Sequence, residues 1–468
     1  MATDIGSSKA HGKNVTGAGR EILVPKSCAC GARKLLKFDL QPQFFVVLSC
    51  HGGSSWRTRA FISSGAAPLA TSAIILRCAL PPMGARRTAR RLQQLCATSD
   101  MDVRLHLTRM AGGDVLETNQ DIAALLNILV EDPATKIVFM NAALVDFSGG
   151  IGTTPSGKHA ERLKSRSVTD YRDIYLHPQP KLLGNVRKTR KDIFLVGFKT
   201  TTGATEDEQY IAALNLLKES SCNLVLANDV VTRTNMVVCP EEARYHVTHN
   251  RDEALAGLVD MALKRSHLTF TRSTVVAGVP VPWDSPLVPA TLRTVVNHCI
   301  GQGAYKPFRG ATVGHFACKL EDDRFLTSIR KSNFNDLDQN GLVLVKTDGP
   351  DSVIAYGSKP SVGGQSQRIV FGEHQEYDCV VHFHCPKKPG SEVPTVSQRE
   401  FECGSHECGR NTSQGLKKFG NLSAVYLDEH GPNVVFHHDI DPKEVTDFID
   451  SNFDLSGKTG GYVHTGTE

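Results

Sequence analysis

The sequences DIFLVGFKTTTGA (residues 192–204) and NLVLAND (residues 223–229) decide the fold of the first half of the chain. Each contains an apolar run as long as one buried strand, followed by glycine or polar residues that end it. Residues 206–220, between the two runs, have the spacing of an amphipathic helix. A strand, a helix and a second strand form a βαβ unit, so this stretch predicts a parallel sheet.

The same alternation continues on both sides of that unit. Further strands are predicted at residues 44–49, 103–108 and 136–147, and further helices at residues 122–129 and 252–264. We therefore predict an α/β fold whose first domain is built on a Rossmann-like, mostly parallel sheet. In such sheets ligands bind beyond the carboxyl ends of the strands. The loops that follow the predicted strands are therefore expected to line a site.

The pattern predicts a second domain after the first. Residues 1–40 are polar and are predicted to form an N-terminal arm, and residues 41–270 form the first domain. Residues 271–286, which include VPVPWDSP, are predicted to be a linker. Residues 287–468 contain helices at both ends and several short strands between them, which predicts an α/β/α domain with antiparallel pairing.

Composition excludes several classes of protein. The 468 residues carry a net charge of only +4, which gives no general case for nucleic-acid binding. The apolar runs are far shorter than the roughly 20 residues that span a membrane, so no membrane partner is expected. The 13 cysteines are scattered and odd in number, which favours reduced thiols in a cytoplasmic protein.

Polar residues and glycines follow three of the predicted strands in the first domain. Asp146 follows the strand in KIVFMNAALVDF, Gly197 and Phe198 lie at the end of the next, and Asn228 ends the strand in NLVLAND. Because parallel strands end at one edge of a sheet, these residues are expected to meet in one crevice. The alternative is structural, with Asp146 as a helix cap and Asn228 in a turn.

These segments resemble phosphopantothenate–cysteine ligase, the C-terminal half of the pantothenate-metabolism flavoproteins. The resemblance rests on NAALVDF, on RLKSR with Lys164, on VGFKTTTGA and on LVLAND, and it covers about residues 103–265. It implies a ligase that activates phosphopantothenate with CTP or ATP and Mg²⁺. It also implies catalytic roles for Lys164 and Asn228, and a nucleotide site formed by Gly52, Gly53, Asp146, Gly197, Phe198 and Asn228.

The chain departs from the ligase pattern at two places. The family has an asparagine before the segment that matches Ser63, Ser64 and Gly65, and this chain has none there. The family's glutamate after VGF is also replaced, because the chain continues as KTTTGAT. In the family that asparagine holds the acyl intermediate, so the departures affect the expected ligation more than the expected fold.

A different pattern occurs in the second domain. In VVHFHCP, His382 and His384 point to the same side of a predicted strand, because side chains alternate along a strand. A third histidine, His430, follows another strand in YLDEHGP. Three imidazoles with one open position are typical of a site for Zn²⁺ or a similar divalent ion. The alternative for each histidine alone is an ordinary hydrogen-bonded residue.

These segments resemble the class II aldolase/adducin family over about residues 290–455. The resemblance rests on VVHFH, DEHGPNVV, GSKPSVGG and GATVGHFACKLEDDRFLTS. It implies a metal ion that polarises a carbonyl group of a sugar phosphate. The family's acid/base glutamate falls at Gly363, and its glycine–asparagine loop contains His315 in place of asparagine.

A second possible metal cluster consists of Cys403, His406 and Cys408 in ECGSHECG, for which a plain thiol-bearing loop is the alternative. Three hypotheses of function remain open. The chain is a ligase of coenzyme A biosynthesis fused to a metal-binding module, a metal-dependent lyase, or a non-catalytic assembly protein. In each case we expect a homo-oligomer, and in the first two a nucleotide or small-molecule substrate.

Overall fold

The computed structural model describes residues 72–77, 82–142, 144, 146–151, 154–155 and 175–459. The described residues divide into two compact units: residues 146–151, 154–155 and 175–180 belong to the smaller unit, and the other described residues belong to the larger one. The predicted arm, the predicted strand at residues 44–49, and Gly52, Gly53, Ser63, Ser64, Gly65 and Lys164 lie outside the described residues.

The described part of residues 72–276 contains eleven strands and five helices. The strands are β1 (Ser72–Arg77), β2 (Asp102–Leu107), β3 (Thr135–Asn141), β4 (Phe147–Ile151), β5 (Thr154–Pro155), β6 (Tyr175–Pro178), β7 (Phe194–Thr201), β8 (Leu224–Asp229), β9 (Asn235–Val238), β10 (Arg244–Thr248) and β11 (Arg272–Val276). The helices are α1 (Pro82–Cys96), α2 (Asn119–Glu131), α3 (Leu183–Thr189), α4 (Glu206–Ser220) and α5 (Arg251–Arg265).

The smaller unit contributes a three-stranded sheet in the order β5-β4-β6, in which both pairs are antiparallel. Asp146 stands at the beginning of this sheet, and its carbonyl accepts a hydrogen bond from the backbone N–H of Gln179 (2.8 Å).

The first sheet of the larger unit has the strand order β10-β9-β8-β7-β3-β1-β2. Its five strands β2, β1, β3, β7 and β8 are mutually parallel, as predicted, and they follow the order of a doubly wound sheet. Strands β9 and β10 extend the edge in the antiparallel direction. This edge is absent from the sequence-based prediction, because β9 has only four residues and β10 has five, three of which are polar.

Helices cover both faces of the first sheet. One buried cluster joins β3, β7 and β8 to α1 and α5, and a second cluster on the other face joins these strands to α2 and α4. Two helix starts are fixed by reciprocal capping hydrogen bonds, at Thr118 with Asp121 and at Thr205 with Glu208. The predicted helices at residues 122–129, 206–220 and 252–264 correspond to α2, α4 and α5.

The remaining chain contains eleven further strands and five helices among the described residues. The strands are β12 (Pro307–Phe308), β13 (Ala311–Thr312), β14 (His315–Glu321), β15 (Arg324–Ser328), β16 (Leu342–Thr347), β17 (Ser352–Tyr356), β18 (Cys379–His382), β19 (Thr395–Val396), β20 (Lys417–Phe419), β21 (Leu422–Leu427) and β22 (Gly431–Phe436). The helices are α6 (Ala290–Gly301), α7 (Leu337–Asn340), α8 (Val362–Glu373), α9 (His406–Gly415) and α10 (Pro442–Asn452).

The second sheet has the order β11-β17-β16-β15-β14-β18-β22-β21-β19, with β20 paired to β21. It is antiparallel from β17 to β21 and has a parallel pair at each end. Helices α6 and α10 pack with the core of one face, and α8 packs with the core of the other. The mixed α/β fold with parallel and antiparallel sheets is therefore confirmed. The range predicted as a linker contributes strand β11, and the domain boundaries themselves stay a prediction.

A buried ion pair connects the elements of the two sheets inside the larger unit. The guanidinium of Arg265, at the end of α5, binds Glu241 (2.6 Å), and both side chains are fully buried. Arg265 also donates to the backbone carbonyls of Gln398 (3.2 Å) and Arg399 (3.0 Å), which belong to the second half of the chain. In the described part of the chain, no helix is both long and apolar enough to cross a membrane.

We expect Arg265→Met to destabilise the larger unit by about 3–5 kcal/mol, because Glu241 would keep a buried charge without its partner. The measurement is urea denaturation of the full chain. Arg87→Ala removes an exposed ion pair with Asp252 and should cost no more than about 0.5 kcal/mol. Equal losses in the two variants would contradict this account, whereas Arg265→Met combined with Glu241→Met should recover much of the stability.

Candidate functional site

Gly197 and Phe198 lie inside β7, which continues to Thr201, and not at its end as predicted. A Cβ atom at Gly197 would lie 3.2 Å from the sulfur of Cys222 and 3.5 Å from Cδ2 of Leu183. The missing side chain at this position therefore allows close packing of β7 against its neighbours. The side chain of Phe198 is half-buried and packs against the core on the α1 and α5 side.

Asp229 organises the carboxyl ends of β7 and β8, a role that the sequence analysis did not assign. Its carboxylate accepts hydrogen bonds from the backbone N–H groups of Gly203 (3.0 Å), Ala204 (3.0 Å), Val231 (2.8 Å) and Thr232 (2.8 Å). Burial alone would raise the pKa of Asp229, but these four backbone donors outweigh it and hold the pKa well below its usual range. The loops at this edge are therefore fixed by one carboxylate.

The other predicted nucleotide-site residues are placed separately. Asn228 is half-buried at the end of β8, and its amide oxygen accepts a hydrogen bond from the hydroxyl of Thr200 (3.3 Å). Asp146 belongs to the smaller unit, and Lys164 lies outside the described residues. The predicted convergence of Asp146 with Phe198 and Asn228 therefore stays a prediction.

The three histidines of the second sheet lie together. His382 ends β18, His384 follows it, and His430 precedes β22. Ring centroids are 4.6 Å apart for His382 and His430, 4.7 Å for His384 and His430, and 5.1 Å for His382 and His384. Each ring has one nitrogen atom that lies within 4.8 Å of one nitrogen atom in each of the other two rings. The structure therefore brings the three histidines together, while their role as metal ligands stays a prediction.

Burial keeps the three rings uncharged. Desolvation lowers the pKa of His382 to about 4 and lowers the pKa of His384 and His430 well below the usual range. The Nδ1 atom of His382 is 2.8 Å from the carbonyl of Pro432, so Nδ1 carries the proton and the lone pair of Nε2 faces Nε2 of His430 (3.3 Å). The Nδ1 atoms of His384 and His430 are buried without a hydrogen-bond partner.

A fourth histidine, His315, also belongs to the cluster, although the sequence carries no signal of this beyond the departure from the glycine–asparagine loop. It lies directly opposite His382 in the β14–β18 pair, with ring centroids 4.7 Å apart. The side-chain amide of Gln367 donates to its Nε2 atom (2.7 Å). A Cβ atom at Gly363 would lie 2.5 Å from Nδ1 of His315. His315 therefore occupies the space in which a side chain at position 363 would begin.

The predicted cluster of Cys403, His406 and Cys408 does not appear among the metal-ligand groups found in the described residues. His406 turns to other partners, because its Nε2 atom is 2.9 Å from the hydroxyl of Thr271 and 3.1 Å from Arg368. The amide of Gln398 donates to the sulfur of Cys408 (3.4 Å). The thiol-bearing loop is therefore the better description of this segment.

A second group of possible ligands consists of Asp378, His437 and His438. Asp378 and His438 form a hydrogen-bonded ion pair, and Asp378 raises the pKa of His438. The rings of His437 and His438 are 4.3 Å apart and partly exposed. The two adjacent histidines are the sequence signal for this group, and the hydrogen bond between Asp378 and His438 already explains their contact.

Comparisons with known proteins found partial and distant similarity. No family model matches the chain. A segment of 55 residues is 40% identical to the coenzyme A biosynthesis bifunctional protein CoaBC of Thermococcus kodakarensis and spans 12% of this chain and 14% of that protein. The DNA/pantothenate metabolism flavoprotein of Streptococcus pneumoniae is 17% identical over 42% of this chain and 99% of its own, with a TM-score of 0.33. An L-fuculose 1-phosphate aldolase is 14% identical over 34% of this chain and 82% of its own, with a TM-score of 0.27.

We expect Asp229→Asn to destabilise the protein at pH 7 by about 1–3 kcal/mol, because an amide replaces the charged acceptor of four backbone donors. The folded-state pKa of Asp229 lies below the ordinary value of 3.8. Its contribution is therefore complete above pH 3.8 and is lost as the pH falls through the folded-state pKa. Denaturation measured across acid pH should show the gap to wild type narrowing. The exposed Asp100→Asn is the control, and a gap independent of pH would contradict the account.

We expect Gly363→Ala to destabilise the protein by about 1–3 kcal/mol, because the new methyl group would collide with the buried ring of His315. The cost should fall when His315→Asn is already present, since the smaller side chain frees that space. Gly372→Ala in the same helix meets no atom within 4 Å and serves as the control. Additive effects of the changes at positions 315 and 363, measured by chemical denaturation, would refute the steric coupling.

Proposed function

We propose that the second sheet carries a centre for one divalent metal ion, Zn²⁺ or a similar ion, held by His382, His384 and His430. The observation that supports it best is the meeting of three buried, uncharged imidazoles whose candidate ligand nitrogens lie within 4.8 Å of one another. Three nitrogen ligands that leave one position open also fit a catalytic zinc centre.

The residues fit such an ion chemically. Neutral imidazole is the form of histidine that donates a lone pair, and burial already favours that form in all three rings. The carbonyl of Pro432 fixes the ring of His382 with Nε2 turned toward His430, at 3.3 Å from its Nε2 atom. A divalent ion in this position supplies Lewis acidity that polarises a carbonyl group of a small substrate.

The residues around the centre restrict the reaction. Position 363, where the class II aldolase resemblance expects an acid/base carboxylate, is a glycine covered by His315. Proton transfer by a carboxylate from that position is therefore unavailable in this chain. We propose that the ion would polarise a carbonyl group in a metal-dependent lyase reaction. If that reaction is the aldol cleavage of a sugar phosphate, its acid/base carboxylate has to come from another position.

We expect the purified protein to contain or bind about one equivalent of Zn²⁺ per chain. Replacing His382 or His430 by alanine should weaken binding at least 100-fold, because two nitrogen ligands hold the ion less well than three. Equilibrium dialysis followed by metal analysis measures this. His249→Ala, an exposed histidine outside the cluster, should bind like wild type. Equal affinity in His382→Ala and wild type would exclude the centre.

We also propose a nucleotide site on the first sheet, as in a phosphopantothenate–cysteine ligase of coenzyme A biosynthesis that uses CTP or ATP with Mg²⁺. The order β2-β1-β3-β7-β8 favours it, because such a sheet has a crevice at the carboxyl ends of β1 and β3, where the order reverses. The loops tied to Asp229 lie at the same edge of the sheet. Catalytic roles for Lys164 and Asn228 belong to this proposal, as does assembly into a homo-oligomer.

A nucleotide that binds only the folded protein should raise its melting temperature. We expect such a shift with CTP or ATP and Mg²⁺, and a smaller one in Asn228→Ala or Lys164→Ala. Cytidine and adenosine without phosphates are the matched ligands. A response to metal without any response to nucleotides would favour the lyase. The absence of both responses would favour a non-catalytic assembly protein.

A further inference from the structure

Glu242 brings a carboxylate from the first half of the chain to the histidine cluster of the second. It lies in the turn between β9 and β10 and is buried. Its Oε2 atom is 3.7 Å from Nδ1 of His384. This separation is slightly longer than a hydrogen bond, and Nδ1 of His384 has no hydrogen-bond partner in the structure. An unpartnered ring nitrogen of His384 therefore faces a carboxylate oxygen of Glu242 across a short gap.

Glu242 is held in place as a charged group. Its carboxylate binds the ammonium groups of Lys218 in α4 (3.2 Å) and of Lys458 near the C-terminus (3.0 Å). Burial alone would raise the pKa of Glu242, but these two lysines outweigh it, and the pKa lies below its usual range. The hydroxyl of Tyr210 also donates to the backbone carbonyl of Glu242. The position of the carboxylate is therefore fixed independently of His384.

Glu242 is not itself one of the grouped ligands, since the set with mutually close ligand atoms consists of the three histidines. A carboxylate beside the outer nitrogen of a metal-binding histidine has a known physical effect. It accepts the N–H of that nitrogen, which fixes the ring and leaves the other nitrogen for the ion. Pro432 already does this for His382 through its carbonyl.

We propose that Glu242 is the positioning residue of His384, so that the metal affinity of the second sheet depends on a side chain from the first. This inference rests on the metal centre proposed above. Nδ1 of His384 faces Glu242, which leaves Nε2 for the ion. The centre is then a composite of both halves of the chain, and neither half alone contains all the groups that orient its ligands.

The test compares Zn²⁺ affinity in full-length Glu242→Gln and wild type by competition with a chromophoric chelator. Removing a carboxylate of this kind should weaken binding by about 10–100-fold. Glu402→Gln is the matched control, because Glu402 accepts a hydrogen bond from Asn223 (3.0 Å) between the same two halves. Burial raises the pKa of Glu402 to about 7, so glutamine resembles its neutral form, and this variant should bind like wild type.

Glu242→Gln also leaves the buried Lys458 and the half-buried Lys218 without their anion, so a second pair of variants guards against misfolding. Glu242→Gln combined with Lys218→Met keeps the net charge of the cluster, and Lys218→Met alone keeps the carboxylate. We expect weak Zn²⁺ binding in the first and near wild-type binding in the second. The visible absorption bands of bound Co²⁺ should shift in the first variant alone, since they report the ligand geometry.

The outcomes separate the two proposals. Wild-type affinity in both variants that lack Glu242 would overturn the positioning role and leave the metal centre intact. Equal losses in Glu242→Gln and Glu402→Gln would also overturn it, because affinity would then follow the packing between the halves. Failure of the wild-type protein to bind Zn²⁺ or Co²⁺ would overturn the metal centre itself.

Discussion

Charge cannot be buried in a protein without a partner, and this constraint governs the region between the two sheets of the larger unit. The buried negative charges of this region belong to two consecutive glutamates in one turn, Glu241 and Glu242. Glu241 is neutralised by Arg265, which also binds backbone carbonyls of the second half. Glu242 is neutralised by Lys218 and Lys458, one from each half. The turn therefore determines how elements of the first sheet meet those of the second.

Glu242 can contact both lysines because the turn takes an unusual backbone conformation. Its φ angle is +63°, in the left-handed region that residues with side chains seldom adopt. The cost of that conformation is offset by the ion pairs, which require both glutamates to point inward from adjacent positions. The same geometry brings the carboxylate within 3.7 Å of His384, so the contact that stabilises the interface also reaches the histidine cluster.

The sequence could predict the parallel sheet and the three histidines, because both depend on local periodicity. The spacing of His382 and His384 predicts that they lie on one side of a strand. His430 follows β21, which is two strands away from β18 in the sheet. The place of His315 in the cluster could not be predicted from the sequence, because it depends on the close approach of its ring to Gly363 in the folded structure. The histidine at position 315 and the glycine at position 363 are therefore sterically linked, because the imidazole occupies the space in which a side chain at position 363 would begin. Glu242 carries no local signal at all, since its role depends on contacts between distant segments.

The burial of the histidine cluster limits the access of a substrate to it. His382 and His430 are at most 1% exposed, and His384 is 6% exposed, so a substrate can reach an ion held there only if a covering group moves. Glu242 is held by two ion pairs and by a hydrogen bond from a tyrosine, so moving it away from the cluster would be costly. Thr459 is attached by two hydrogen bonds, to the carbonyl of His430 (2.8 Å) and to that of His384 (3.2 Å). Because two neutral hydrogen bonds are weaker than two ion pairs of a buried carboxylate, displacing Thr459 would cost less than displacing Glu242.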